Sequence, residues 1–182
     1  MAPNSLLSGC APAGSFDAVS LEPTIRIAQQ ADLVAWSLLR SELWPDCSAE
    51  RHKLEIAQLV DSHGIVALAE VNGEIVGFAE ASIRDDHVEG TSITPVPYLE
   101  GWFVSKDFRR IGIGKALLAF IEAWALKQGF RELASDAEVD NLPAIQTHRR
   151  RGFEETGRTV HFVKRLGEDS ASSGAGANTK DS

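Results

Sequence analysis

The most constraining feature of the chain is the run Arg109-Arg110-Ile111-Gly112-Ile113-Gly114-Lys115. Ahead of it, residues 98–104 are apolar or glycine apart from one carboxylate and read as a strand. Behind it, Leu117, Phe120, Ile121 and Trp124 fall at helical spacing and predict a long helix over 114–128. A strand that passes through a glycine turn into a helix aims backbone N–H groups and the positive end of the helix dipole at one point. Lys106, Arg109, Arg110 and Lys115 add charge there against the single Asp107. The combination describes a cradle for a pyrophosphate. The Walker pattern is absent, and the dinucleotide fingerprint lacks its third glycine. A basic helix entry with capping glycines is the plainer alternative for the same string.

The periodicity around this run sets the fold class. Residues 24–27 alternate as a short strand. Helices are expected over 31–43, stopped by Pro45, and over 49–62, ended by His63-Gly64. Strands 65–71 and 74–84 flank Asn72-Gly73, a strong hairpin signal because both residues tolerate positive φ. A polar loop over 85–97 leads to the strand 98–104. After the long helix come a strand at 131–135, a helix at 143–151, and a closing hairpin of 152–155 with 159–166 around Gly157. The order β-α-α-β-β-β-α-β-α-β-β predicts an α/β (α+β) fold, a mixed and mostly antiparallel sheet flanked by helices. The folded unit is expected over 24–166. Residues 1–23 read as a poorly ordered extension, and the Ser/Gly/Ala-rich 167–182 as a disordered tail.

Charge and composition remove whole classes of function. The net charge is −8, and 24–166 alone carry −4, with only short basic clusters. No nucleic-acid partner is expected from that balance. No apolar run approaches the roughly 18 residues of a membrane span, and no Lys or Arg precedes Arg26 to make the charged start of a signal peptide. Cys10 and Cys47 have no metal-ligand spacing, so no metal is expected and a reducing cytoplasm is compatible.

The R-x-x-G-x-G run between a strand and a long helix resembles the GCN5-related N-acetyltransferase superfamily. Asn141, Ala144, His148, Gly152 and Phe153 stand at the spacing of a second segment of that superfamily. The resemblance covers essentially all of 24–166 and implies acetyl-CoA as acetyl donor. It implies that the backbone of Trp102, Phe103 and Val104 pairs with the pantetheine arm. Arg109, Arg110, Gly112, Ile113, Gly114 and Lys115 would hold the pyrophosphate, with Asn141 also on the cofactor side. Four further strings resemble the bacterial aminoglycoside 6′-N-acetyltransferases: Ser41-Glu42-Leu43-Trp44, Thr94 through Gly101, Ala134-Ser135-Asp136-Ala137 with Asp140-Asn141, and Gly152 through Thr156. This implies an aminoglycoside substrate contacted by Trp44, Glu100 and Asp136, and a homodimer in which the final strand is exchanged. Relatives often carry Tyr where His87 stands, and some an acid where Gly157 stands, so the outer pocket differs here.

Glu100 is the carboxylate inside the apolar strand, where burial without a partner is expensive. It reads either as half of a structural ion pair or as the group that binds an ammonium and takes its proton. Asp136 ends the next strand, as a loop-start residue or as Glu100's companion. His148 stands where many such acetyltransferases place a tyrosine that protonates the departing thiolate. Imidazole is suited to that task, and simple packing is the alternative. Trp44 either stacks on a sugar ring or plugs the core. Taken together, the residues predict transfer of an acetyl group from acetyl-CoA to an aminoglycoside 6′-amine. The alternatives are transfer to another small amine, a polyamine or a protein N-terminus, or an acetyl-CoA sensor without turnover.

Overall fold

The computed structural model describes residues 22–61 and 64–165. Strand β1 (Thr24–Ile27) is followed by a 3-10 turn (Gln30–Asp32), α1 (Leu33–Leu43) and α2 (Ala49–Asp61). Then come β2 (Ile65–Val71), β3 (Glu74–Arg84), β4 (Val96–Val104), a second 3-10 turn (Lys106–Phe108), α3 (Ile113–Lys127), β5 (Ala134–Ser135) and α4 (Leu142–Arg150). The five strands form one sheet in the order β1-β2-β3-β4-β5, antiparallel throughout except for the parallel pair β4–β5. The expected mixed, mostly antiparallel sheet flanked by helices is therefore present.

The chain divides into two compact units, Met1–Glu138 and Val139–Ser182. In the first, Asn72 (φ 52°) and Gly73 (φ 82°) turn β2 into β3 as their sequence demands. Strand β2 is apolar almost throughout because both its faces are covered. From one side α1 and α2 contribute Trp36, Leu39, Ile56 and Leu59, which close on Phe78 and Phe103. From the other, α3 presses Ile113, Leu117, Leu118 and Ile121 onto β2, β3 and β4. In the second unit, α4 begins under the Asn141 side chain, which accepts a hydrogen bond from the Ala144 N–H at 3.2 Å.

Four expectations are corrected. Strand β4 starts at Val96, not at 98, because Val96 and Pro97 are buried and pair with Arg84 and Ile83. Strand β5 spans only Ala134–Ser135, since the chain leaves the sheet after two residues of pairing. The first helix is entered through the 3-10 turn, with α1 proper beginning at Leu33. The closing hairpin is absent among the described residues: 153–165 form no strand, and Val160, Phe162 and Val163 are exposed. Alternation marked those residues as strand-like, but a strand exists only where a neighbouring edge takes its hydrogen bonds. His63, most of 1–23 and all of 166–182 lie outside the described residues.

One irregularity positions the site. In the β3–β4 ladder Glu80 faces Gly101 and Ala81 faces Leu99, so Glu100 is an extra residue on β4. Such a bulge turns two consecutive side-chain directions to one face. Among the described residues β4 pairs with β5 at Tyr98 and Leu99, and the strand runs on past that pairing to Val104.

Candidate active site

The floor of the site is built by the bulge. The Glu100 carboxylate accepts from Ser82 Oγ at 2.5 Å, and from Arg84 Nε at 3.0 Å and Nη2 at 2.6 Å. The Arg84 guanidinium lies 3.3 Å from the centre of the Tyr98 ring, in cation–π contact. Asp136 lies close to the Tyr98 hydroxyl. Burial, with Asp136 nearby, pushes the Tyr98 hydroxyl above its usual range, so it stays protonated. Burial also works against the Arg84 charge, but Glu100 outweighs it and holds the guanidinium above its ordinary value. Glu100 and Asp136 are thus joined through Arg84 and Tyr98. Sequence periodicity placed the two carboxylates near one another and missed both linkers.

Trp44 comes to the same place from the end of α1. A Cβ on Gly101 would stand 2.6 Å from Trp44 Cη2 and 3.1 Å from Glu80 Cγ, so glycine lets the indole lie against the strand. Trp44 and Glu100 line one cavity of about 830 Å³ with Asp46, Glu55, Glu80 and Ser82. Asp136 and His87 do not line it. Asp136 is exposed at the end of β5, and His87 lies on the β3–β4 loop, exposed, with Nε2 3.7 Å from Glu89.

Beneath this cavity lies a buried ionic network absent from the sequence expectations. The Arg40 side chain is 4% exposed and its guanidinium donates to Glu80, to Glu55 Oε2 at 2.5 Å and to His52 Nδ1 at 3.3 Å. Trp36 Nε1 donates to Glu80 Oε2 at 3.0 Å, and Arg40 also lies 4.6 Å from the centre of the Trp44 ring. Burial raises the Glu80 pKa, against the opposing pull of Arg40 and Trp36. A buried charge left without its partner costs about 3–5 kcal/mol, so this network fixes the wall against which Trp44 rests. Its signal in the sequence was slight: Glu80, Ser82 and Arg84 alternate on one face of β3, while Arg40 is one polar residue in an otherwise buried stripe.

At the other end of β4 the glycine run opens α3. Gly112 is the residue before the helix and has φ 97°, and Arg110 has φ 69°, both left-handed. No side chain caps the helix, whose first intrahelical bond is Ala116 N–H to Gly112 O at 3.0 Å. The N–H groups ahead of it point out of the helix end. Arg109, Arg110 and Lys115 are exposed beside them, and Ile113 is buried as an anchor. Arg109 Nε donates to Val104 O at 2.7 Å, and Trp102 Nε1 to Gly114 O at 3.0 Å, tying the strand end to the turn. Strand end, turn and cations fit a long ligand that carries a pyrophosphate. In the second unit, His148 Nδ1 lies 2.9 Å from Ala144 O and therefore carries the ring proton, and its ring meets Phe153 edge-on at 5.1 Å.

Known proteins resemble the chain closely. Residues 30–153 match the acetyltransferase (GNAT) family. An aminoglycoside N(6′)-acetyltransferase type 1 from Stenotrophomonas maltophilia is 47% identical over 145 residues, covering 79% of this chain and 94% of the relative. Among solved structures, AAC(6')-Iy in complex with the bisubstrate analogue CoA-S-monomethyl-acetylneamine superposes with a TM-score of 0.74. It shares 36% identity, over 80% of this chain and 99% of the other. AAC(6')-Ih from Acinetobacter baumannii gives a TM-score of 0.73 at 38% identity, over 80% and 100%.

Proposed function

Because the chain belongs to the acetyltransferase (GNAT) family, we propose that it moves an acetyl group from acetyl-CoA to the 6′-amine of aminoglycosides. The observation that carries this is the pairing of Trp44 with Glu100 in one cavity, on the strand that leads to the cationic turn at α3. A polycationic sugar needs an aromatic face and carboxylates, and the cavity offers both.

The roles follow from the geometry. Acetyl-CoA supplies the acyl carbon as a thioester. The turn Arg109–Lys115 receives its pyrophosphate on the free N–H groups of α3, aided by Arg109, Arg110 and Lys115. The backbone of Trp102, Phe103 and Val104, at the end of β4 past its pairing with β5, is where the pantetheine amides pair. An N–H near Phe103 or Val104 polarises the thioester oxygen. Trp44 stacks on the sugar ring, and Glu100 and Asp136 hold ammonium groups, with His87 at the outer rim. The 6′-ammonium has to lose a proton before attack, and Glu100 takes it directly or through water. His148 is the candidate acid for the departing thiolate, and only as imidazolium, giving the Nε2 proton while Nδ1 keeps the one held by Ala144 O. Asn141 sets the start of α4 and so the position of His148 on that helix.

Acetylation removes one positive charge from the drug and weakens its ribosomal binding, which gives the reaction a resistance role. The same reading carries a cytoplasmic homodimer, supported for the dimer by the exposed apolar side chains of Val160, Phe162 and Val163. No helix among the described residues is long and apolar enough to cross a membrane.

Regiochemistry tests the reading. Release of the CoA thiol is measured with matched aminoglycosides that differ only in bearing a 6′-amine or a 6′-hydroxyl, with mass spectrometry of the product. The amine is expected to be acetylated and the alcohol to bind but turn over poorly, since no Ser/His/Asp arrangement activates a hydroxyl. Equal turnover of both moves the reacting amine to another ring.

A further inference from the structure

We propose that Cys47, His52 and Glu55 form a site for a zinc-class divalent cation at the junction of α1 and α2. One donor atom from each residue, the Cys47 Sγ, a ring nitrogen of His52 and a carboxylate oxygen of Glu55, lies within 4.8 Å of the others. Ligands on a tetrahedral zinc at its usual bond lengths stand about 3.3–3.8 Å apart, so about an ångström of closure completes the set. His52 and Glu55 sit one turn apart on α2 and project to the same side. Cys47 lies in the short connection before it and closes without moving a helix.

The buried imidazole supplies the second observation. His52 is 1% exposed, and its Nε2 has no hydrogen-bond partner among the described residues. An orphaned polar atom at that depth is rare and marks a missing partner. Its Nδ1 accepts from Arg40 Nε at 3.3 Å, so the ring proton sits on Nε2. Cation binding at Nε2 moves that proton to Nδ1, which then opposes the Arg40 Nε–H, so that hydrogen bond breaks and the guanidinium turns from the ring. Arg40 keeps Glu80 and Glu55 as partners. The Cys47 thiol proton passes to solvent, and thiolate with carboxylate balance the dication. Glu55 is held by Arg40 and Arg51 through one oxygen each, which leaves lone pairs on both. A thiolate, an imidazole and a carboxylate select zinc or cobalt over magnesium or calcium. With three protein donors the fourth position stays open toward the cavity that Cys47 and Glu55 line, and water fills it.

The test needs no acetyl transfer and is independent of the proposed substrate. The metal-free full chain is titrated with cobalt(II) and then with zinc. One equivalent of cobalt is expected to bind with tetrahedral bands and a thiolate-to-metal charge-transfer band, and zinc to displace it. Cys47→Ser, at a partly exposed position, is expected to abolish the charge-transfer band and weaken binding more than tenfold. Loss of an outer partner alone costs about 10–100-fold. Cys10→Ser is expected to leave both unchanged. Glu55→Gln should weaken binding while keeping the thiolate band. No binding at one equivalent, a charge-transfer band that survives Cys47→Ser, or a site lost with Cys10→Ser overturns the proposal.

Discussion

Arg84 grips Glu100 with two nitrogens while resting on the Tyr98 ring, so an arriving ammonium has to share that carboxylate or displace a resident cation. Arg84→Gln should therefore lower the KM for the aminoglycoside, which steady-state kinetics at saturating acetyl-CoA will show. Glu100→Gln should cut turnover by about 100-fold or more and leave acetyl-CoA affinity unchanged by calorimetry. Gly101 is constrained from the same side. An added methyl group meets Trp44 and Glu80 at once, and overpacking of this kind costs about 1–3 kcal/mol. Gly101→Ala should lower the thermal midpoint and raise the aminoglycoside KM together. Glu100 stood out in the sequence because it was the one charge in an apolar run. Arg84 and Arg40 did not, because their partners lie 16 and 40 residues away and no local pattern announces them.

Two elements carry the fold into function, the turn at α3 and the 3-10 turn before α1. Gly112 holds φ 97°, where a side chain is strained, and an acid there would also oppose a phosphate. Gly112→Asp should weaken acetyl-CoA binding by at least about tenfold, that is 1.4 kcal/mol, in a protein that calorimetry shows to be folded. At the other turn, Asp32 accepts from Arg26 at 2.7 and 2.9 Å and from the Gln29 N–H at 2.7 Å. Arg26, against the cost of burial, lowers its carboxyl from 3.8 to about 2. Between those values the unfolded chain binds more protons than the native one, so stability is full above pH 3.8 and is lost as pH falls toward 2. Asp32→Asn should flatten acid unfolding in that window and cost on the order of 1 kcal/mol at neutral pH. These elements were legible at different levels. Asn72-Gly73 and the glycine run have local signatures, so both appear where the string put them. Strand ends and the extra residue at Glu100 are decided by a neighbour's register, which alternation along one strand does not contain.

For the whole molecule, the segment 153–165 presents Val160, Phe162 and Val163 to solvent, although the sequence marked it as a hairpin. Alternation along 159–165 did not make a strand, because it says nothing of which sheet edge would take the hydrogen bonds. In the proposed homodimer a second copy would offer that edge, and burying a large apolar side chain there would stabilise by about 1.5–3 kcal/mol. Sedimentation should give twice the 19.7 kDa chain mass, and Phe162→Asp should return it to that mass. The bulge on β4 carries a different consequence. Leu99 and Gly101 already face neighbouring residues of β3, so the ladder would be continuous without Glu100. The residue is an insertion into a strand whose alternation never needed it. Loss of one codon would thus leave a regular sheet with its core on the correct sides and a pocket without the carboxylate that β4 supplies. On the proposed role of Glu100, a single triplet separates a working pocket from an inert one, and a variant lacking that codon is expected to fold with its sheet intact and to release no CoA thiol.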